Sequence, residues 1–317
     1  MNDVAMIAYG PVPSRRLGQS VGINNIPPKI CTYSCVYCQL GNTVNMQIER
    51  RQFYEPEQLV EAVRRKVEGA ARNNEPIDYL TFVPDGEPTL DVNLGRELVL
   101  LKELGIRRAV ISNASLISQK QVRDELAEAD WVSLKIDAVD RDIWRRIDRP
   151  HRGLDLEAIL DGIAAFSRSF TGDLTIETML VRDLNDGEEA IGKTAVFIEG
   201  VRPKKCYLSI PTRPPAAGWV RAATEAALTR AYRIFEAHGL DTEYIIGYEG
   251  NAFAYTGDVE KDLLSITAVH PMRREAVEDV LARSRGDWSA VQELIAQGNL
   301  VEAEYKGQRF YMRKLAD

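Results

Sequence analysis

The feature that most restricts the fold of this chain is a rhythm in which short β-type apolar runs alternate with amphipathic stretches of helical period. The runs are DYLTFV at 78–83, RRAVI at 107–111, WVSLKI at 131–136, DLTIETMLV at 173–181, KCYLSI at 205–210 and EYIIGY at 243–248. Between them, apolar residues recur at helical spacing over 56–71, 92–104, 118–128, 155–168, 187–199 and 219–238. Pro56 opens the first helix where a missing N–H costs nothing, and Asn185–Asp186 offers a cap for another. A first short strand near 21–24 completes the series. Parallel strands need long crossovers, usually helical, so these units predict an α/β fold with a mostly parallel sheet. The count fits a partial (β/α)6 TIM-like barrel, with functional residues in the loops at the C-terminal ends of the strands.

The rhythm changes after about residue 255, which divides the chain into a barrel at 1–254 and a second domain at 255–317. Segments 259–268, 272–283 and 287–297 read as short helices, with Gly298 as a C-cap. LVEAEY and QRFYMRK then read as two strands joined at Lys306–Gly307. Three helices and a hairpin suggest a small winged-helix-like domain. Its third helix holds Asp287 and Glu293 and no Arg or Lys, which argues against DNA reading and for docking a macromolecular substrate or covering the barrel mouth.

Composition narrows the function classes. With 45% hydrophobic and 27% charged residues the chain is not mainly disordered. Its net charge of −7 makes it a poor non-specific binder of nucleic acid, although Arg15, Arg16 and Lys29 form a local basic edge. The opening MNDVAMIAYG has an acid at Asp3 and no basic n-region, unlike a signal peptide. No apolar run approaches the ~18 residues of a membrane span. The expectation is a cytoplasmic protein with reduced thiols and no membrane partner.

Four cysteines are too few for a disulfide scaffold, and three of them, Cys31, Cys35 and Cys38, share one short loop. Thiolates select zinc, copper or iron–sulfur. A structural zinc site wants a fourth ligand, and the next His and Cys are distant, at His151 and Cys206. Three close thiolates suit a cubane cluster that leaves one iron without a protein ligand, as a reaction centre requires. Zinc completed by Cys206 is the alternative, against Cys206 as a buried small hydrophobe.

Other candidates come from strand parity and loop position. Ser133, Lys135 and Asp137 share one face of their strand. A Lys and an acid pointing into a barrel mouth suit a ligand, or pair with each other at the rim. Glu177 is a mid-strand acid among apolar neighbours, with Arg182 just beyond it. Arg213 sits in the stiff PTRPP loop, pre-oriented toward an anionic group. These three are candidate substrate contacts. Gly86 permits close backbone approach, and Asp85 with Glu87 would attract a cation such as an ammonium.

The Cys31-x3-Cys35-x2-Cys38 loop, with Tyr37 just before its last cysteine, resembles that of the radical SAM superfamily. The resemblance implies that these cysteines ligate a [4Fe-4S] cluster whose open iron chelates S-adenosyl-L-methionine. Reductive cleavage then gives a 5′-deoxyadenosyl radical that abstracts hydrogen from substrate, with electrons from a low-potential donor such as flavodoxin or ferredoxin. By the same resemblance Tyr37 packs near the adenine. Gly86 and Glu87 fall in the GGE-like motif that grips the methionyl ammonium, although Asp85 replaces its first Gly. Asn113 and Ser115 match the stretch of polar cofactor contacts, and Lys135 and Asp137 face the ribose and substrate. The motifs YGPVPSRRLGQSVGIN, DGEPTL, RPHRGL and IPTRPP are similar to an iron–sulfur oxidoreductase branch related to the wyosine-forming enzymes that modify transfer RNA. Archaeal wyosine synthases carry a second cluster on cysteines ahead of the signature loop, and no cysteine precedes Cys31 here. The resemblance leaves the substrate open, with a tRNA base as one reading and a non-catalytic metal-binding regulator as another.

Overall fold

The computed structural model describes residues 7–245, 258–269, 271–284, 286–305 and 307–314. The chain opens with β1 (Ala8–Ser14) and β2 (Gly18–Ile23), an antiparallel hairpin. Two short parallel strands, β3 (Ile30–Cys31) and β4 (Asn45–Met46), bracket the cysteine loop. Next comes α1 (Pro56–Arg72), with Pro at its start and Leu59, Val60 and Val63 buried on one face.

Strands and helices then alternate as the periodicity predicts. They run β5 (Tyr79–Phe82), α2 (Leu94–Leu100), β6 (Arg107–Ser112), α3 (Lys120–Leu126) and β7 (Trp131–Lys135). After α4 (Arg141–Ile147) and α5 (Leu156–Ser169) come β8 (Asp173–Met179), α6 (Glu188–Val201), β9 (Lys205–Ser209), α7 (Glu225–Ala237) and β10 (Thr242–Ile245). The expected strand at 243–248 is described only to Ile245. Helix α4 has no counterpart in the sequence reading, because seven residues are too few to display a period. Asp140 caps it by accepting from the N–H groups of Asp142 and Ile143. At α6 the cap residue is Gly187, not Asn185–Asp186. Asn185 instead bridges its loop, accepting from Val181 N and donating to the carbonyls of Asp137 and Met179.

The main sheet has the order β1-β2-β5-β6-β7-β8-β9-β10. Every pair after the first hairpin is parallel. The end strands β1 and β10 do not pair with each other, so the sheet is an open, curled partial barrel with one antiparallel edge strand that the sequence reading lacked. Outward residues such as Leu80, Val110, Val132, Ile176 and Leu208 are buried in the largest core cluster with the helices. Inward, Leu17, Ala109, Trp131, Tyr207 and Ile245 pack together and close the floor. A plugged floor leaves the C-terminal strand ends as the place for a site.

The last part of the chain holds α8 (Val259–Val269), β11 (Met272–Arg273), α9 (Arg274–Ser284), α10 (Trp288–Ala296), β12 (Leu300–Tyr305) and β13 (Gln308–Arg313). Its three strands form a separate antiparallel sheet, β11-β13-β12. This C-terminal unit shares a core with Tyr9 and Val12 of β1, and the Tyr305 hydroxyl donates to the Pro211 carbonyl at 3.2 Å. The expected boundary at 254/255, and Lys306 of the hairpin turn, lie outside the described residues. Among the described residues, no helix is long and apolar enough to cross a membrane.

Candidate active site

The cysteine loop is held from both sides by backbone hydrogen bonds. Ser34 N donates to Asp148 O at 3.1 Å, Val36 N to Ile147 O at 2.9 Å and His151 N to Thr32 O at 2.9 Å. On the other side Ala217 N donates to Val36 O at 3.0 Å. Helix α4 supplies the packing: Trp144 meets the Tyr33 ring edge-on at 6.0 Å and donates to its hydroxyl at 3.2 Å. The unforeseen helix therefore supports the loop the chemistry depends on.

Two polar groups flank the loop. Around Cys31, Glu87 is 1% exposed and accepts four hydrogen bonds: from Thr89 N at 3.1 Å, Thr89 Oγ1 at 2.6 Å, Ser112 Oγ at 2.7 Å and Asn113 N at 2.8 Å. Thr32 Oγ1 takes a bond from Asn113 Nδ2 at 2.8 Å and from Ser115 Oγ at 2.7 Å. Asn113 Nδ2 also lies 3.6 Å from Cys31 Sγ. Ser115 is fully buried, so it braces Thr32. A Cβ at Gly86 would stand 1.9 Å from Ile30 O, and Glu87 N donates to that carbonyl at 3.2 Å. Only a glycine lets the loop after β5 lie this close to the strand that carries Cys31.

Around Cys35 the group is ionic. Cys35 Sγ donates to Asp148 Oδ1 at 3.3 Å. Tyr37 donates its hydroxyl to Asp137, and Lys135 Nζ sits 4.9 Å over the Tyr37 ring. Lys135 Nζ is 3.7 Å from Asp137 and 3.4 Å from Glu177. Glu177 also pairs with Arg16 and accepts from Ser209 Oγ at 2.9 Å. Burial alone would raise the Glu177 carboxyl, but Lys135 and Arg16 hold it well below the usual carboxylate range. Burial, and then the neighbouring Asp137 carboxylate, raise the Asp148 carboxyl well above its ordinary value.

Asp85 differs from both glutamates. It is 1% exposed and neither carboxylate oxygen has a hydrogen-bond partner among the described residues. Burial pushes its carboxyl up to about 8 against the opposing charge of Arg313. The three loop thiols are also raised by burial, Cys31 to about 12. They are half-buried and free, so loading a metal must displace their protons.

Most expected site residues thus converge. Cys31, Gly86, Glu87, Asn113 and Ser115 form one group, and Cys35, Tyr37, Lys135, Asp137 and Glu177 the other. Cys38 lies between them under the opposing charges of Asp85, Lys135 and Lys29. Arg213 reaches the loop as well, donating to Gln39 Oε1 at 2.6 Å. Arg182 does not join: its side chain is exposed and only its backbone bonds Arg221. Arg15 and Arg16 form no basic edge, because Arg15 donates to Ile245 O at 2.6 Å and Arg16 turns inward to Glu177. Cys206 lies in the core outside the barrel, on the face opposite Ser209, and cannot complete a zinc site with the loop. Sequence reasoning missed Asp148 and the inward role of Arg16. Asp148 directly precedes the RPHRGL motif, the one signal that could have marked it.

A curled parallel sheet with three free thiols on one loop and polar groups on both sides is the architecture of a partial barrel with its site at the C-terminal strand ends. The model of the Radical SAM superfamily matches residues 25–195, and the chain belongs to that superfamily: it is a radical SAM enzyme that uses S-adenosylmethionine and an iron–sulfur centre. It is 45% identical over 311 residues to a UPF0026 protein of Methanocaldococcus jannaschii, covering 98% of this chain and 96% of that one. It is 37% identical over 216 residues to a UPF0026 protein of Synechocystis sp., covering 68% and 78%. Its fold resembles the structure of TYW1 with a lysine-pyruvate adduct bound, at a TM-score of 0.52 and 17% identity over 70% of this chain and 75% of that one.

Proposed function

We propose that this radical SAM enzyme modifies an RNA base, with transfer RNA as its substrate, and that Cys31, Cys35 and Cys38 hold a [4Fe-4S] cluster. The observation that carries the cofactor reading is the donor set. Three thiols lie on one loop with Cys206 excluded, and among the described residues no three His, Cys, Asp or Glu side chains converge on a single-ion position. A cluster needs a wider spread of ligands than one ion does. The Asp85 carboxylate, buried with no hydrogen-bond partner among the described residues, fits the ammonium of the methionyl group. When bound, the cluster and cofactor together supply hydrogen-atom abstraction.

The protein's own residues do the rest. Glu87 and Ser112 fix the backbone at Asn113, whose side-chain amide lies 3.6 Å from Cys31 Sγ and would be available to the bound cofactor. Tyr37, Lys135 and Asp137 present a pre-paired polar wall that excludes water without strain. Glu177 anchors that wall through Lys135, and Arg213 orients the far rim through Gln39. The RNA reading is supported by the motifs shared with wyosine-forming enzymes and by the fold likeness to TYW1. We read 255–317 as a winged-helix-like domain that docks the RNA beside the mouth, and a low-potential flavodoxin or ferredoxin as the cytoplasmic electron donor.

Anaerobic reconstitution tests the cofactor part. The expected result is about four iron and four sulfide per chain, with 5′-deoxyadenosine formed on adding dithionite and S-adenosylmethionine. Tightly held zinc without cofactor cleavage overturns it. The substrate part is tested by incubating the reconstituted enzyme with bulk tRNA and digesting the RNA for mass spectrometry. A new modified nucleoside supports the reading, and unchanged nucleosides with continued cofactor cleavage reject it.

A further inference from the structure

A cavity of about 260 Å³ lies between the segment after Cys38, the loop after β9 and the C-terminal unit. Among the described residues its wall carries Lys29, Arg313 and Lys314 and no carboxylate. In a chain with 47 acids against 40 bases, three basic residues with no acid among the described lining residues is an unusual wall. Gln39, one residue beyond Cys38, also lines it and holds the Arg213 guanidinium at the rim. Asp85 is the carboxylate that faces Arg313 from the barrel side.

Lys29 is fixed there by its backbone. Its φ of 60° is left-handed, a conformation rare for a residue with a Cβ. Its N–H donates to Asp85 O at 2.7 Å, and its carbonyl accepts from Val44 N and Asn45 N, each at 3.2 Å. Among the described residues the ammonium makes no ion pair.

We propose that this cavity is a phosphate subsite: it seats a phosphate group of a nucleotide substrate beside the cysteine loop. Cations supplied separately by the loop and the C-terminal unit suit the spread oxygens of a phosphate better than one carboxylate. The volume admits a phosphate with part of its sugar. The subsite also gives the C-terminal unit a direct role, because substrate is then gripped between it and the barrel. Whether the phosphate belongs to an RNA strand or a free nucleotide rests on the RNA reading above; the subsite itself does not.

Binding to the anaerobically loaded holoenzyme tests it, with bulk tRNA, the four nucleoside 5′-monophosphates and the four unphosphorylated nucleosides as probes. Lys29→Gln and Lys314→Glu each weaken the phosphate-bearing probes about tenfold and leave the nucleosides unchanged. The slope of log affinity for tRNA against log salt falls by about 0.7–0.9 for each lysine removed from a phosphate. Lys120→Gln, an exposed lysine on α3 paired with Asp124 at 2.6 Å, changes nothing. Should Lys29→Gln misfold, Lys314→Glu carries the test, since its side chain is exposed. Monophosphates and tRNA that bind equally, with both losing affinity in the variants, would reject the RNA reading and keep the subsite. Unchanged affinity of every phosphate probe in both variants overturns the subsite.

Discussion

The two sides of the cysteine loop bury the same kind of side chain and treat it in opposite ways. Glu87, on the Cys31 side, is surrounded by neutral donors and meets no cation, so burial raises its carboxyl. Glu177, on the Cys35 side, is 8% exposed and lies between Lys135 and Arg16, which drive it down. Burial alone therefore does not decide the charge state; the neighbouring cations do. Glu87 acts as a fastener that joins the loop after β5 to the end of β6. Glu177 is an ionic anchor that draws the turn of the β1–β2 hairpin into the barrel and holds Lys135 at the rim.

The largest effect is expected on the loop that both sides support. Cys35→Ala should reduce iron to background and abolish 5′-deoxyadenosine formation, measured by iron assay and chromatography. Retained iron with full cleavage would show that the ligand set lies elsewhere. Glu177→Gln should come next, because it leaves the half-buried Arg16 without its carboxylate partner and Lys135 with Asp137 alone. Breaking such a pair costs about 3–5 kcal/mol, visible as a lower urea midpoint. Glu87→Gln should cost less, about 1–3 kcal/mol, since it disturbs hydrogen bonds and no ion pair. A larger loss at Glu87 than at Glu177 would reverse the roles assigned here.

The pair also differ in the sign of their pH dependence. With its folded carboxyl below the ordinary value of 4.5, Glu177 contributes stability above that pH and loses it as the solution is acidified. Glu87, raised above 4.5, contributes at low pH and loses its share as pH rises. Acid titration of each Gln variant against the parent should show opposite slopes.

The sequence carried the barrel because its strands and crossover helices each extend over enough residues to show a period. It carried the cysteines because their spacing is local. It did not carry α4, too short for a period, nor the antiparallel β1, which bends through Pro11 and Pro13 and alternates poorly. Contacts between residues far apart in the chain were also hidden. Arg16 and Glu177 are separated by 161 residues, so nothing local says that a cation in the opening hairpin neutralises a mid-strand acid. Arg15 and Arg16 read as a surface patch for the same reason. Strand parity brings Lys135 and Glu177 to one face, where Asp137 joins them, because it depends only on which side of the sheet a residue takes. It could not say that Glu87 spends its lone pairs on Thr89, Ser112 and Asn113 while, among the described residues, neither oxygen of nearby Asp85 has a hydrogen-bond partner.

Asp85 gives the sharpest contrast with both glutamates, since among the described residues neither of its oxygens has a hydrogen-bond donor. Its carboxyl is raised from 3.8 to about 8, so across that window the folded chain holds a proton that the unfolded chain has lost. Stability from this group is full below about pH 4 and declines as pH rises toward 8. Asp85→Asn should flatten that decline and be more stable than the parent at pH 8. A cationic ligand reverses the sign. An ammonium favours the ionised carboxylate, so S-adenosylmethionine affinity should rise with pH, by at most about tenfold per unit, and level off near pH 8. Arg313, Tyr9 and Cys38 are the charged and titratable groups that share its surroundings. Arg313→Gln should therefore move the plateau to higher pH, while Asp85→Asn should remove the rise altogether. Calorimetric titration between pH 6 and pH 9 reads both. A pH-independent affinity in the parent protein would mean that the cofactor's ammonium is held by another group.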